Sequence, residues 1–151
     1  MRLESLLDER GINYERHSHN KAFTAQGLAH AEHVSGYMVA KPVIVNDGNA
    51  FTMCVLPAPK HVDLERVASV LEATQVRLAT ETEMSNLFPD CELGAEPPVG
   101  NLFGLRTVMD ENLLDDAFLI MQAGTHTESV KVRREDWQKL CDPVVAPIAA
   151  S

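Results

Sequence analysis

An apolar run with one lysine in its middle, GYMVAKPVIV at 36–45, constrains the fold of this chain more than any other stretch. Alternate side chains of a strand point to the same face, so Lys41 shares a face with three valines. Pro42 has no amide donor, which places it on an edge strand or at a bulge. The Asp-Gly turn that follows, NDGN at 46–49, predicts an antiparallel return through 50–56. The run therefore predicts a β-hairpin with a lysine in an apolar face.

Lys41 is the residue of this run that needs a chemical explanation. A lysine seldom sits among branched apolar side chains unless an anion meets it or its ammonium reaches water at the end of the strand. We interpret Lys41 as the floor of a pocket for a negatively charged group. The alternative is a lysine whose stem covers apolar surface while its ammonium stays in solvent.

The composition is that of an ordinary globular protein with little capacity to bind bare nucleic acid. Its 151 residues fit one domain, with 45% of them hydrophobic and 23% charged. The net charge of −9 argues against a large basic footprint, and aromatic residues at 5% argue against a broad platform for stacking bases. We therefore expect no DNA partner, and a nucleic-acid substrate would be gripped locally or presented by another protein.

The cysteines and the apolar segments indicate a compartment. Cys54, Cys91 and Cys141 are odd in number and form no CxxC pair, which argues against a disulfide framework or a cysteine-based zinc site. No apolar run approaches the roughly 20 residues of a membrane span. Acidic residues occupy the place of a signal peptide's apolar region in the first residues, MRLESLLDERG. The sequence thus predicts a cytoplasmic protein with no membrane partner.

Periodicity and turn residues predict an α+β fold, a compact single domain over residues 1–151 with a mixed, curved sheet and helices outside it. Neighbouring strands are expected to pair as hairpins rather than as βαβ crossovers, and the tail, 144–151, is expected to be loose. Helices are predicted at 2–10, 25–33, 64–73, 81–87 and 135–140, and strands at 12–17, 36–45, 50–56, 76–79, 105–109, 117–123 and 129–133.

A loop rich in glycine and proline, CELGAEPPVGNLFG at 91–104, is the second stretch that points to chemistry. Gly94 and Gly100 have no Cβ, so their backbone can approach a ligand closely, and Pro97 and Pro98 hold that backbone rigid. A fixed set of amide donors suits a carbonyl oxygen that becomes an oxyanion. The alternative is a tight connection that binds no ligand.

The histidines suggest two further hypotheses. His126 follows Gly124 at the tip of a strand pair; alone it is a turn histidine, but near Lys41 it could orient water or a hydroxyl. His30 and His33 lie one helical turn apart and raise a zinc hypothesis, but there is no HExxH motif, and such pairs are more typical of a surface. Neither a GxSxG elbow nor a Walker loop is present.

Three runs taken together, TAQGLAHAEHVSGYMVAK, LFPDCELGAEPPVG and AGTHTESVKV, resemble the YbaK/prolyl-tRNA synthetase editing-domain family of aminoacyl-tRNA deacylases. The similarity extends from about residue 3 to about residue 143. The lysine strand and the GxxxP element, Gly94 to Pro98, are its most specific marks.

This resemblance implies a compact α+β fold around a barrel-like mixed sheet, and an activity. The activity is hydrolysis of the ester that joins a wrongly attached amino acid to the tRNA 3′ adenosine, with no metal and no cofactor. Small groups such as alanine, cysteine or serine suit the family's pocket. By matching positions, the resemblance assigns catalytic roles to Lys41, His126 and Gly100 and substrate-binding roles to Gly94, Pro98, Thr24 and Gly124.

The chemistry implied by the resemblance agrees with the residues. Lys41 would anchor the phosphate of the terminal nucleotide; a role as general base would need a strongly depressed pKa. An aminoacyl ester is already activated, so positioning and oxyanion stabilisation can suffice. The water would be oriented by His126, or by the ribose hydroxyl or side chain of the substrate itself.

One departure from the family keeps an alternative open. Pro42 stands where many members have a threonine or an asparagine, which favours a non-catalytic module of the same fold that binds the tRNA 3′ end or a synthetase. Because the chain is acidic, we expect weak, salt-sensitive binding of bare tRNA. A synthetase or an elongation factor would then present the substrate.

Overall fold

The structure, a computed structural model, describes residues 1–19, 27–29 and 35–150. Residues 27–29 are helical, and most of the predicted helix 25–33 lies outside the described residues. The helices are α1 (Leu3–Glu9), α2 (Leu64–Leu71), α3 (Glu81–Leu87) and α4 (Arg134–Cys141), with 3₁₀ turns at Gly36–Met38, Gly100–Leu102 and Glu111–Asp115. The strands are β1 (Tyr14–Ser18), β2 (Ala40–Asn46), β3 (Phe51–Pro57), β4 (His61–Val62), β5 (Arg77–Leu78), β6 (Arg106–Asp110), β7 (Phe118–Gln122), β8 (Glu128–Arg133), β9 (Val144–Ala146) and β10 (Ala149–Ala150).

Two larger sheets carry the fold. Among the described residues, one has the order β5-β2-β3-β6-β9 and the other the order β1-β8-β7, while β10 pairs with β4. A parallel bridge between Val39 and Ile120 joins the start of β2 to β7. The predicted α+β class with a mixed sheet is confirmed. Consecutive strands pair as the expected hairpins at β2–β3 and β7–β8, and the parallel pairs β3–β6 and β6–β9 join strands that are not consecutive in the chain.

The predicted hairpin around the Asp-Gly turn is confirmed. Strands β2 and β3 pair antiparallel from Ala40 opposite Pro57 to Asn46 opposite Phe51. Gly48 takes a φ of +96°, and the side chains of Asn46 and Asp47 accept hydrogen bonds from turn amides. Glycine adopts this left-handed backbone without strain, which is why the turn forms here.

Pro42 sits on the open flank of β2. The Ile44 carbonyl accepts a hydrogen bond from the Ala79 amide on the side away from β3. Backbone groups of a strand alternate in direction, so Pro42, two residues earlier, faces that same side. β5 pairs only with Val45 and Asn46, so this flank has no strand beside Pro42 among the described residues. The missing amide of Pro42 therefore costs the sheet no hydrogen bond. Strand β2 lies between β5 and β3 in its sheet, so it is an edge only along the part that β5 does not reach.

The main core lies between the two larger sheets. Met53 and Val55 of β3, Leu119 and Met121 of β7, and Trp137 of α4 belong to one cluster of buried apolar side chains. A smaller cluster covers the other face of the five-stranded sheet and includes residues of α2 and the C-terminal segment. Packing therefore fixes each sheet and holds the ends of its strands in place.

Two of the predicted helices, 64–73 and 81–87, form with side-chain caps at their first turns. The Asp63 carboxylate accepts the amides of Glu65 and Arg66 at the start of α2. Thr80 and Glu83 form a reciprocal capping box at the start of α3. No helix in the described part of the chain is both long and apolar enough to cross a membrane.

The prediction of a loose tail is wrong for residues 144–150. Strand β9 lies beside β6, β10 pairs with β4, and Ile148 is fully buried. The buried Asp110 carboxylate accepts the amides of Ile148 and Ala149 at 3.1 and 3.2 Å. The apolar segment VVAPIAA thus pairs with the open edge of β6 and donates to a buried acceptor. The pattern of residues within the tail gives no information about either partner.

Candidate active site

Lys41, in strand β2, lines a cavity of about 290 Å³. Gly94 of the glycine–proline loop (residues 91–104) lines the same cavity. The Lys41 side chain is half-buried, and its Nζ donates to the carbonyl oxygen of Ala58 at 3.0 Å. Burial lowers the pKa of the ammonium from its ordinary value of 10.5. An ammonium has three donors, so two remain for a ligand beyond the bond to Ala58. The other residues around the cavity are Ala40, Pro42, Glu81, Met84, Leu93, Glu96 and Gln122.

The first half of the glycine–proline loop is fixed to the turn between β7 and β8. The Glu92 amide donates to Gly124 O at 2.8 Å, and the Gly124 amide donates to Ala95 O at 2.9 Å. The Glu92 side chain accepts the amide of His126 at 2.9 Å. Gly94 and Gly124 have φ values of +89° and +99°, a conformation that favours glycine. The loop and the histidine turn therefore form one rigid unit.

The second half of the loop is held from behind by helix α4. The Trp137 indole donates to the carbonyl of Pro98 at 2.9 Å, and the Asn101 amide group donates to the carbonyl of Leu140 at 3.1 Å. Gly100 is buried against the start of β6, where a Cβ would lie 2.4 Å from Thr107 Oγ1. Packing alone accounts for a glycine at position 100.

The structure brings some of the predicted site residues together and separates others. Lys41 and Gly94 line one cavity. His126 is 5% exposed, and among the described residues it is bonded to the loop rather than placed in the wall of that cavity. Gly124 lines a different cavity of about 580 Å³ on the other side of the loop. The carbonyl of Pro98 accepts a hydrogen bond from α4, and Gly100 packs against β6. Thr24 lies outside the described residues.

Two buried polar residues of the cavity escaped the sequence analysis. Glu96 is 4% exposed, and its Oε1 accepts the Gly94 amide at 3.1 Å. Gln122, at the end of β7, is 5% exposed and lines the same cavity. The signal for Glu96 was present, because it is the one charged residue in the stretch GAEPPVG. That stretch was interpreted only for its backbone.

Neither a metal site nor a reactive thiol is formed by the residues that the structure describes. No group of three histidine, cysteine or acidic side chains among them is arranged to hold a metal ion. His30 and His33, on which the zinc hypothesis rested, lie outside that part of the chain. Burial raises the pKa of Cys54 to about 12 and that of Cys91 to about 11, so both are thiols at neutral pH rather than nucleophilic thiolates.

Comparisons with solved structures agree on the fold. A hypothetical protein, APE2540, is 20% identical with a TM-score of 0.89, and the match covers 98% of this chain and 99% of that one. A protein described as a candidate trans-editing enzyme for prolyl-tRNA synthetase is 20% identical with a TM-score of 0.84, over 99% and 95% of the two chains. A scaffold protein from work on epitope backbone grafting is 18% identical with a TM-score of 0.88, over 99% and 96%. At such identities the likeness establishes the fold alone.

The comparison of this sequence with models of protein families is more specific than the comparison with solved structures. No curated protein sequence matches this chain closely enough to count as a relative. The model of the aminoacyl-tRNA editing domain family, however, matches residues 19–140. That span contains the lysine strand, the glycine–proline loop and the His126 turn. The chain therefore belongs to the aminoacyl-tRNA editing domain family.

Proposed function

We propose that this protein is a trans-editing deacylase that hydrolyses the ester of a mischarged aminoacyl-tRNA carrying a small amino acid such as alanine, cysteine or serine. The observation that carries the proposal is that Lys41 and Gly94 line the same cavity. At about 290 Å³, the cavity is at the small end of the range for ligand pockets, roughly 300–1,000 Å³. It suits an aminoacyl group and part of the ribose, and in this proposal the base of the terminal nucleotide stays outside it.

In this proposal Lys41 anchors the tRNA 3′ end. Its ammonium is half-buried and bonded to a neutral carbonyl, so a phosphate anion would supply the charge partner that it lacks within the described residues. A hydrogen bond to a charged group contributes roughly 1.5–3 kcal/mol. The lysine acts by attraction and positioning rather than by proton transfer.

The loop contributes position and, after an exchange of hydrogen bonds, oxyanion stabilisation. The Gly94 amide already donates to Glu96, so it can serve a developing oxyanion only if it gives up that bond. His126 is held beside the loop through Glu92 and does not line the cavity, so the ribose hydroxyl or the side chain of the substrate itself is left to orient the attacking water. The reaction needs no metal in this scheme, so a chelator should leave the rate unchanged.

A deacylation screen tests the proposal. Purified protein is incubated with Ala-, Ser-, Cys- and Thr-charged tRNA, and Lys41→Ala is compared with Lys139→Ala, which removes an exposed lysine of α4. We expect release from at least one small aminoacyl-tRNA. Lys41→Ala should lower kcat/KM by about 10- to 100-fold, the equivalent of one charged hydrogen bond. Lys139→Ala should match the wild type.

A second candidate function has one observation in its favour. Pro42 lines the cavity beside Lys41 and offers no hydrogen bond from its side chain to a substrate. A non-catalytic module that binds the tRNA 3′ end or a synthetase would tolerate that loss. Binding of charged tRNA without release across the whole panel would favour this module over the deacylase, and undiminished turnover by Lys41→Ala would refute the role given to the lysine.

A further inference from the structure

We propose that Glu96 binds the α-ammonium of the aminoacyl group and so makes the site select free aminoacyl esters over esters that lack this charge. The inference rests on the proposed function and adds a specificity-determining residue to it. It concerns a carboxylate that lies inside the cavity, between two residues of the GxxxP element.

The burial of Glu96 is the first reason. The side chain is 4% exposed, and a glutamate is almost never so buried unless its charge is paired. From the described residues it accepts one hydrogen bond, which the Gly94 amide donates to Oε1 at 3.1 Å. A carboxylate has about four acceptor positions, so a single neutral amide leaves most of them unused.

The arrangement of charge in the cavity is the second reason. No described side chain forms an ion pair with Glu96, and the Lys41 ammonium donates to Ala58 O instead. Apart from the exposed Glu81, the cavity therefore holds one acidic and one basic side chain, Glu96 and Lys41, which form no ion pair with each other. A ligand that matches both must carry a cation and an anion a few atoms apart. The aminoacyl end of tRNA has this form, with its α-ammonium beside the ester and its phosphate beyond the ribose.

A purely structural role for Glu96 makes a different prediction. If the side chain only fixes the Gly94 turn, an uncharged acceptor of the same shape would serve equally well. Glu96→Gln supplies that acceptor, because its carbonyl oxygen can still receive the Gly94 amide. The substitution thus removes the charge and keeps the turn.

Glu81 provides a matched control. It lines the same cavity from the first turn of α3, but it is exposed to solvent. Attraction between solvent-exposed charges is weak. Glu81→Gln therefore removes the same charge from the same cavity without removing a buried partner for the ammonium.

The experiment compares alanyl-tRNA with lactyl-tRNA, in which a hydroxyl replaces the ammonium at almost unchanged size. Because the α-ammonium itself activates an ester, each kcat/KM is divided by the spontaneous hydrolysis rate of the same ester. On this scale we expect the wild type and Glu81→Gln to prefer alanyl-tRNA by about 10- to 100-fold, the range for one charged hydrogen bond. Glu96→Gln should bring this ratio to within about threefold of one. A Glu96→Gln ratio equal to that of the wild type, including an equal loss on both substrates, would overturn the proposal.

A binding measurement separates this inference from the proposed function. The probes are 3′-(alanylamino)-3′-deoxyadenosine 5′-phosphate and its lactyl counterpart, which the protein cannot hydrolyse as esters. If the wild type releases no amino acid but prefers the alanyl probe, and Glu96→Gln loses that preference, the deacylase proposal fails and the Glu96 assignment stands. Equal affinity of the wild type for the two probes, or no binding of either, overturns the assignment.

Discussion

At the scale of the residue, Lys41 shows how a strand supplies a charge to a site. Its neighbours in the strand, buried Ala40 and half-buried Pro42, line the same cavity, and its ammonium donates to the carbonyl of Ala58. The loss of hydration lowers the pKa of the group below its ordinary value. Burial costs the ammonium part of its hydration, and the same burial strengthens its attraction for an anion.

The charge of Lys41 can be tested through pH. Affinity for adenosine 5′-phosphate should fall as pH rises through the lowered pKa, so the weakening should begin below the ordinary lysine value of 10.5. Lys41→Arg stays protonated across that range and should bind with constant affinity. Calorimetric titrations at a series of pH values measure both curves. A wild-type affinity that is constant up to pH 10.5 would contradict the anchoring role.

Gly100 gives a prediction about stability. In Gly100→Ala the new methyl would lie 2.4 Å from Thr107 Oγ1 and 2.5 Å from the carbonyl oxygen of Leu105. Overpacking of this kind costs typically about 1–3 kcal/mol, and urea unfolding should show a loss at least that large. The double variant with Thr107→Ala should remain destabilised, because the clash with the backbone persists. A Gly100→Ala protein as stable as the wild type would show that β6 can shift.

At the scale of the element, the glycine–proline loop owes its rigidity to two supports as well as to its prolines. The β7–β8 turn holds one half through Gly124 and His126, and α4 holds the other through Trp137. The loop therefore keeps its shape before any ligand arrives. Preorganisation of this kind is what positioning catalysis requires.

Trp137→Phe tests the second support. The change leaves the buried carbonyl of Pro98 without its donor, at a cost of about 1–3 kcal/mol. Because Trp137 is the only tryptophan, unfolding in urea is followed by far-UV circular dichroism. Lys139→Ala, on the exposed side of the same helix, should change the free energy of unfolding by less than about 0.5 kcal/mol. An unchanged free energy of unfolding in Trp137→Phe would show that this hydrogen bond does not hold the loop.

Elements that depend on local signals could be predicted from the sequence, and elements that depend on distant partners could not. The Asp-Gly hairpin and the Thr80–Glu83 capping box are set by residues within a few positions of each other. The parallel pairing of β3 with β6 depends on a partner far along the chain, about which turn residues give no information. Glu96 stands out in its stretch by its charge, but its burial depends on how the loop packs in the folded chain, which the local sequence does not give.

At the scale of the whole molecule, the C-terminal segment completes the structure. Strand β9 covers the edge of β6, and Ile148 enters the cluster on the outer face of the five-stranded sheet. The Asp110 carboxylate ties this segment to the end of β6. A segment that was expected to be loose is thus part of the core.

Ile148→Ala measures the contribution of this segment. The side chain is fully buried, and truncation of a buried isoleucine destabilises a protein by about 2–5 kcal/mol. Val144→Ala, at a position 53% exposed in the same segment, should change the free energy of unfolding by less than about 0.5 kcal/mol. Urea unfolding of the two variants gives the comparison. Equal, small effects of both substitutions would mean that the segment does not pack in solution as it does in the structure.

Pro42 also affects how copies of this protein meet at high concentration. An uncovered strand flank is a template on which a strand from a second molecule can pair, and this route leads to aggregation. At Pro42 the flank offers no amide donor, so such a pairing would begin with a missing hydrogen bond. Pro42, which lines the cavity beside Lys41, therefore disfavours the growth of an intermolecular sheet along this flank.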